Sequence, residues 1–220
     1  MPWEYLVVAV VLYLVGAFPT GYLAGRLLTG IDVRDFGSRA SGATNVLRVL
    51  GRRPFVPVLL IDILKGWVPV LLVWYIAYEV KGFSANESHN LQVAGGIAAI
   101  IGHDFPVYIG FRGGRGVATA FGVYAALAVP VAFGVLPIAI FILLAFRYMS
   151  LMSIIAVPLG AMALLGLSLA GMEPYVKTVF GFTASALVLL RHIPNIQRLL
   201  QGTEPKLGEG SRPRPLAGAG

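Results

Sequence analysis

Residues 117–146 read VATAFGVYAALAVPVAFGVLPIAIFILLAF, without one charged side chain. As a single helix this stretch would be roughly 45 Å long, well beyond the about 30 Å hydrocarbon core of a bilayer. Pro130 and Pro137 interrupt it, and each removes a helical hydrogen bond. The stretch therefore reads as two short spans. Further apolar runs lie at about 5–28, 55–78, 91–109, 151–170 and 175–190, which makes seven. Loops with Arg34, Arg39, Arg48, Arg52 and Arg53, then Arg112 and Arg115, then Arg147, then a basic tail from Arg191, all fall on one side. Of the 17 Lys and Arg residues, only Lys81 and Lys177 fall on the other. Basic loops stay in the cytoplasm, so the N-terminus is expected outside and the C-terminus inside. Reading 117–146 as one span would put Arg147 and the basic tail on opposite faces. The expected fold is an all-α integral membrane protein with seven transmembrane helices. Residues 1–207 form one membrane domain, and 208–220, rich in Gly, Pro and Arg, form a disordered tail.

Composition agrees. The chain is 57% hydrophobic and 12% charged, against about 25% charged in soluble domains, with mean hydropathy +0.81. No polar stretch is long enough for a separate soluble domain. Residues 1–28 lack a basic leader and are long enough to span, so they are not expected to be a cleaved signal. The net charge of +7 belongs to orienting loop arginines rather than to a nucleic-acid site. The absence of cysteine excludes disulfides, thiol catalysis and thiolate metal sites. No internal repeat is visible, which counts against a repeat-built transporter.

Two loops carry the candidate chemistry. One is Gly37-Ser38-Arg39-Ala40-Ser41-Gly42-Ala43-Thr44-Asn45-Val46-Leu47-Arg48. Ser38, Thr44 and Asn45 offer neutral donors and acceptors, Gly42 a tight turn, and Arg48 a permanent charge. Singly, such Ser and Thr residues are helix caps; together with Arg48 they form a polyol or phosphate site. The other is Arg112-Gly113-Gly114-Arg115-Gly116, which opens directly into a helix at Val117. Glycine N–H groups, a helix N-terminus and fixed cations make an anion site, with Thr119 placed to face it from the first turn. The spacing is not that of a Walker A loop.

Asp62 and Lys65 stand three residues apart within an apolar span, on one helical face. Intramembrane charges mark functional positions, although such a pair also serves as a self-neutralising structural unit. His103 ends the third span near the arginine loop. His192 and Asn195 follow the last span, three residues apart, and face one site if that segment is helical. His89 is incidental. Neither a metal-ligand cluster nor a paired-carboxylate site is visible; Asp104, Asp32 and Asp35 are the only acids near these loops. No metal and no cofactor are expected.

These residues resemble the bacterial membrane glycerol-3-phosphate acyltransferases that use acyl-phosphate, the PlsY family. The resemblance runs from Phe18-Pro19-Thr20-Gly21-Tyr22 to Gly202-Thr203-Glu204. It rests on Gly37-Ser38 to Arg48, on Gly113-Gly114-Arg115-Gly116-Val117-Ala118-Thr119, and on Arg191-His192-Ile193-Pro194-Asn195-Ile196 with Arg198-Leu199. Asp62-Ile63-Leu64-Lys65-Gly66, Gly102-His103 and Ser150-Leu151-Met152-Ser153 add to it. It implies a seven-helix bacterial inner-membrane enzyme with its site on the cytoplasmic face. The implied reaction acylates the 1-hydroxyl of sn-glycerol-3-phosphate from acyl-phosphate, giving lysophosphatidic acid and phosphate. The implied partners are those two substrates, membrane lipid and an upstream enzyme that makes acyl-phosphate. It further implies that Ser38, Arg48 and Arg115 hold phosphate while Ser153, His192 and Asn195 line the site. Two positions depart from the family pattern. Arg115 stands where lysine is usual, and Arg39-Ala40-Ser41 stands where Gly-Asn-Pro or similar is usual.

On this reading Arg48 and Arg115, with glycine N–H groups, bind the two phosphate groups and neutralise charge on the leaving phosphate, while His192 and Asn195 orient the glycerol hydroxyl. With no carboxylate in place, the proton acceptor is His192 or, preferred here, an oxygen of the acyl-phosphate. The rival is a transporter or flippase for a phosphorylated solute, which would place its cations near the bilayer midplane. A non-catalytic anionic-lipid binder would need only the basic loops.

Overall fold

The computed structural model describes residues 2–209, whose regular structure is all helical, with no strand among them. Helix α1 spans Pro2–Gly16, α2 Thr20–Thr29, α3 Ala43–Leu50, α4 Arg52–Tyr75, α5 Ala85–Asp104, α6 Val117–Leu127, α7 Val129–Phe146, α8 Met149–Leu169 and α9 Tyr175–Leu200. The run at 117–146 breaks at Ala128, whose φ of −155° and ψ of 82° are not helical. Pro130 follows in the first turn of α7, where its missing N–H is no loss; in a continuous helix it would leave the Ala126 carbonyl without its donor. Pro137 stays inside α7. Among the described residues, five stretches are long and apolar enough to cross a bilayer: 3–29, 52–80, 129–146, 149–169 and 175–200. The apolar α6 is shorter.

Several expected boundaries move. The first apolar run is two helices, because Pro19 lacks the N–H that would continue α1. The stretch at 79–90 is not all loop: Ser84 and Glu87 form a capping box that starts α5 at Ala85, satisfying two orphan N–H groups. α5 ends at Asp104, two residues before Pro106. α9 runs through Arg191 to Leu200, so His192 and Asn195 are helical rather than part of a tail. The expectation of disorder over 208–220 falls, from residue 210, outside the described residues.

The outer faces are apolar: Leu6, Leu60, Leu72, Phe141 and Leu144 are all more than half exposed. Polar groups point inward, the pattern of a chain solvated by lipid. Close helix pairs use glycine at their contacts. A β-carbon at Gly16 would overlap the Ala99 carbonyl, bringing α1 onto α5. One at Gly66 would overlap the Thr119 carbonyl, and one at Gly122 the Ile63 carbonyl, drawing α4 onto α6. Without a hydrophobic drive between helices in lipid, such close backbone packing is what holds them. A central buried cluster including Val70, Ile100, Val123, Leu164, Phe180 and Val188 packs the helices together.

Candidate active site

A cavity of about 460 Å³ opens where α3, α4, α6, α7, α8 and α9 meet. One part of its wall is polar, with Ser38, Thr44, Arg48, Arg115, His192 and Glu204. Much of the rest is apolar, including Phe121, Val131, Val135, Ala139, Leu143 and Val157.

Asn45 organises the first loop. Its Nδ2 donates to the carbonyls of Val33 (2.7 Å), Ala40 (2.8 Å) and Phe36 (3.2 Å), and its Oδ1 accepts the Ser38 N–H (2.8 Å). Its amide is thus committed to the loop, and it shapes the site rather than offering free donors to a ligand. Gly42 is the N-cap of α3 and provides no side-chain cap. Thr44 lies inside the helix, not at its cap, and its side chain faces the cavity. Arg48 is held by one bond to the Pro205 carbonyl (3.3 Å). Burial lowers its pKa, opposed by Glu204.

In the second loop one expected anion donor is spent within the protein. The Gly114 N–H donates to the His103 carbonyl (3.0 Å), and the Gly113 carbonyl accepts from the Ser41 N–H (3.3 Å). β-Carbons at Gly113 and Gly114 would overlap the His103 carbonyl and ring respectively. These two glycines therefore permit packing on His103. What faces the cavity is Arg115, Gly116 and the first turn of α6. Gly116, at φ +69°, caps that helix with no side chain. The orphan N–H groups and positive dipole end of α6 are left for a ligand. Burial lowers the Arg115 pKa to about 10, so its charge persists through the neutral range. Thr119 does not reach the cavity: it is fully buried and donates to the Asp62 carbonyl (3.1 Å) across the α4–α6 seam.

Asp62 is paired with Lys65 (2.8 Å) and accepts the Thr20 hydroxyl (3.1 Å). Lys65 also donates to the Phe18 carbonyl (3.1 Å), so the pair staples the α1–α2 break to α4. Asp62 and His103 both line the cavity. The His103 Nδ1 lies 3.6 Å from Asp62 Oδ1, beyond hydrogen-bond length.

Across the cavity, His192 Nδ1 lies 2.8 Å from the Val188 carbonyl. A carbonyl only accepts, so in the neutral ring Nδ1 carries the proton and Nε2 is left as an acceptor. Ser153 lines the cavity with its hydroxyl donating to the Met149 carbonyl (2.8 Å). Asn195 is fully buried and does not line it; its Nδ2 donates to Glu204 Oε1 (2.7 Å).

Glu204 is the residue that sequence reasoning missed. It overturns the expectation that no carboxylate stands at the site. Oε1 accepts from Ser150 (2.8 Å) and Asn195, and Oε2 accepts Arg198 Nε (2.8 Å). Burial opposes its ionisation, but these three donors outweigh burial and hold its pKa below the usual glutamate value. A carboxylate so engaged is a weak base. A faint signal was present in Gly202-Thr203-Glu204, an acid just past a helix-ending glycine in a basic stretch. Its partners on α8 and α9, however, lie up to 54 residues away.

The family model described as glycerol-3-phosphate acyltransferase matches residues 6–202. The glycerol-3-phosphate acyltransferase of Parasynechococcus marenigrum (strain WH8102) is 45% identical over 197 residues, covering 90% of this chain and 87% of that one. That of Synechocystis sp. is 42% identical over 206 residues, covering 93% and 91%. The crystal structure of PlsY (YgiH), an integral membrane glycerol 3-phosphate acyltransferase, in its glycerol 3-phosphate form superposes with a TM-score of 0.80 at 37% identity, covering 93% of this chain and 96% of that one. Its lysophosphatidic acid form superposes with a TM-score of 0.77 at 36% identity, covering 92% and 94%. With family model, relatives and backbone in agreement over nearly the whole length, the chain belongs to the PlsY family of integral membrane glycerol-3-phosphate acyltransferases.

Proposed function

We propose that this protein transfers a fatty acyl chain from acyl-phosphate to the 1-hydroxyl of sn-glycerol-3-phosphate, releasing lysophosphatidic acid and phosphate. The observation that carries the reading is one cavity with two chemistries. Arg48, Arg115 and the open N-terminus of α6 meet at its polar wall, and the apolar remainder suits an acyl chain. The family relatives share the acceptor, and the PlsY structures are its substrate and product forms.

Phosphate is a good leaving group, so the site works by proximity and charge stabilisation. The glycerol hydroxyl oxygen attacks the acyl carbon, the carbon–oxygen bond to phosphorus breaks, and Arg48 and Arg115 stabilise the departing phosphate. His192 Nε2 accepts the hydrogen bond of the neighbouring 2-hydroxyl and so aims the attacking 1-hydroxyl, whose own proton is left free to transfer. The proton passes to a phosphate oxygen of the donor, because Glu204 is fully engaged and Asp62 is paired with Lys65. α5 and α6, added to the five long apolar stretches, complete seven spans in the bacterial inner membrane. The N-terminus then lies outside and the site on the cytoplasmic face, open to an upstream enzyme that supplies acyl-phosphate.

The direct test gives the purified protein palmitoyl-phosphate and glycerol-3-phosphate in detergent. Phosphate release equal to lysophosphatidic acid formed is expected, with no product from palmitoyl-CoA. Equal turnover with palmitoyl-CoA would overturn the donor assignment. No product from a protein that still binds glycerol-3-phosphate would favour transport instead. His192→Asn is expected to keep measurable turnover, with a loss of about tenfold, short of the 10²–10⁴ typical of a lost general base. A loss above about 10³-fold with glycerol-3-phosphate binding intact would move the proton to His192.

A further inference from the structure

Arg191, one residue before His192 on α9, does not line the cavity. It grips the glycine loop from outside. Its Nε and Nη2 donate to the Gly114 carbonyl at 3.1 and 2.8 Å, and Nη2 also approaches the Gly113 carbonyl at 3.4 Å. Its guanidinium carbon lies 4.9 Å from the centre of the Phe105 ring, a cation–π distance. α9 thus holds the loop that follows α5 and precedes α6.

The peptide joining Gly114 to Arg115 is planar and trans, so its carbonyl and the Arg115 N–H point in opposite directions. Fixing that carbonyl turns the Arg115 N–H away from Arg191 and sets where Arg115 enters the cavity wall. Gly113 and Gly114 have no side chains to limit their backbone, and adjacent glycines are soft. His103 holds the Gly114 N–H on one side, and Arg191 holds the next carbonyl on the other.

We propose that Arg191 is a positioning residue for acyl transfer. It ties the anion-binding end of α6 to the helix that carries His192, so that bound phosphate and aimed hydroxyl keep one separation. Lysine would keep the charge but lose the two-pronged grip and the stacking on Phe105.

The inference rests on the acyltransferase reading, and the wild-type assay above tests that reading separately. The decisive comparison uses Arg191→Gln and Arg191→Lys in the full chain. Each is assayed for kcat, for KM toward glycerol-3-phosphate, and for inhibition by inorganic phosphate. Arg191→Gln is expected to lose about 10- to 100-fold in kcat/KM, the scale of a small misplacement. Phosphate inhibition should weaken in parallel, and Arg191→Lys should recover only part of both. The melting temperature rise caused by inorganic phosphate, which follows ligand affinity without any turnover, should shrink in the same order. Added methylguanidinium should restore activity to Arg191→Ala. Wild-type phosphate affinity in Arg191→Gln would overturn the proposal. So would a fall in kcat alone that tracks a lower melting temperature and is not rescued by methylguanidinium.

Discussion

Glu204→Ala is expected to lower stability by about 3–5 kcal/mol, the usual cost of removing one partner of a buried charge pair. Activity should be lost with it. The side chain is almost wholly buried while its partner Arg198 is one-third exposed, so most of the cost arises on the buried side. There, Asn195 Nδ2 and Ser150 Oγ lose their acceptor, and an unsatisfied buried donor costs about 1–3 kcal/mol. Backbone bonds fold the same segment back at the end of α9: the N–H groups of Thr203 and Glu204 both donate to the Arg198 carbonyl, and Leu207 donates to the Arg147 carbonyl. Melting in detergent micelles checks the prediction, and an unchanged melting temperature would remove Glu204 from the stabilising network. Its pH dependence has a defined sign. The folded pKa lies below the ordinary value, so the contribution is complete above about pH 4.3. It disappears as pH falls through the lower folded value. Wild type should therefore lose its advantage over Glu204→Gln only in acid.

The helices were legible because lipid imposes long uncharged runs, and the break in residues 117–146 was legible because one helix there would overrun the bilayer. Helix ends were less so. The capping box at Ser84 and Glu87 lay in a polar stretch that resembled a loop. The continuation of α9 past Leu190 was masked by Arg191, His192 and Pro194, whose polarity marks the bundle interior rather than the end of the helix. Site residues divided by the reach of their partners. Arg48, Arg115 and His192, which line the cavity, were legible as candidates because charge and imidazole stand out in apolar surroundings. Asn45, Thr119 and Asn195 had suitable side chains, but their committed hydrogen bonds appear only when Val33, Asp62 and Glu204 are brought beside them. Gly113 and Gly114 stand out as glycines in the sequence, but a second reason for them, room for His103, appears only when α5 is beside them.

Arg48→Ala and Arg115→Ala should each reduce kcat by about 10²–10³, the scale for removing one preorganised donor from a developing negative charge. The two guanidinium groups approach the cavity from different elements, Arg48 from α3 and Arg115 from the loop before α6. Losing either leaves a phosphate-sized charge compensated on one side only. On the proposed mechanism both act on the same departing phosphate, so the double variant should lose less than the product of the single losses. Arg115→Lys separates charge from shape. Lysine keeps the positive charge but offers a point of contact in place of a planar fork, and the open first turn of α6 still supplies its N–H groups. Turnover within about tenfold of wild type is expected. A loss in Arg115→Lys as deep as in Arg115→Ala would show that this chain has come to depend on the guanidinium fork itself. Full activity in Arg115→Ala would transfer the leaving-group role to Arg48 and the helix terminus.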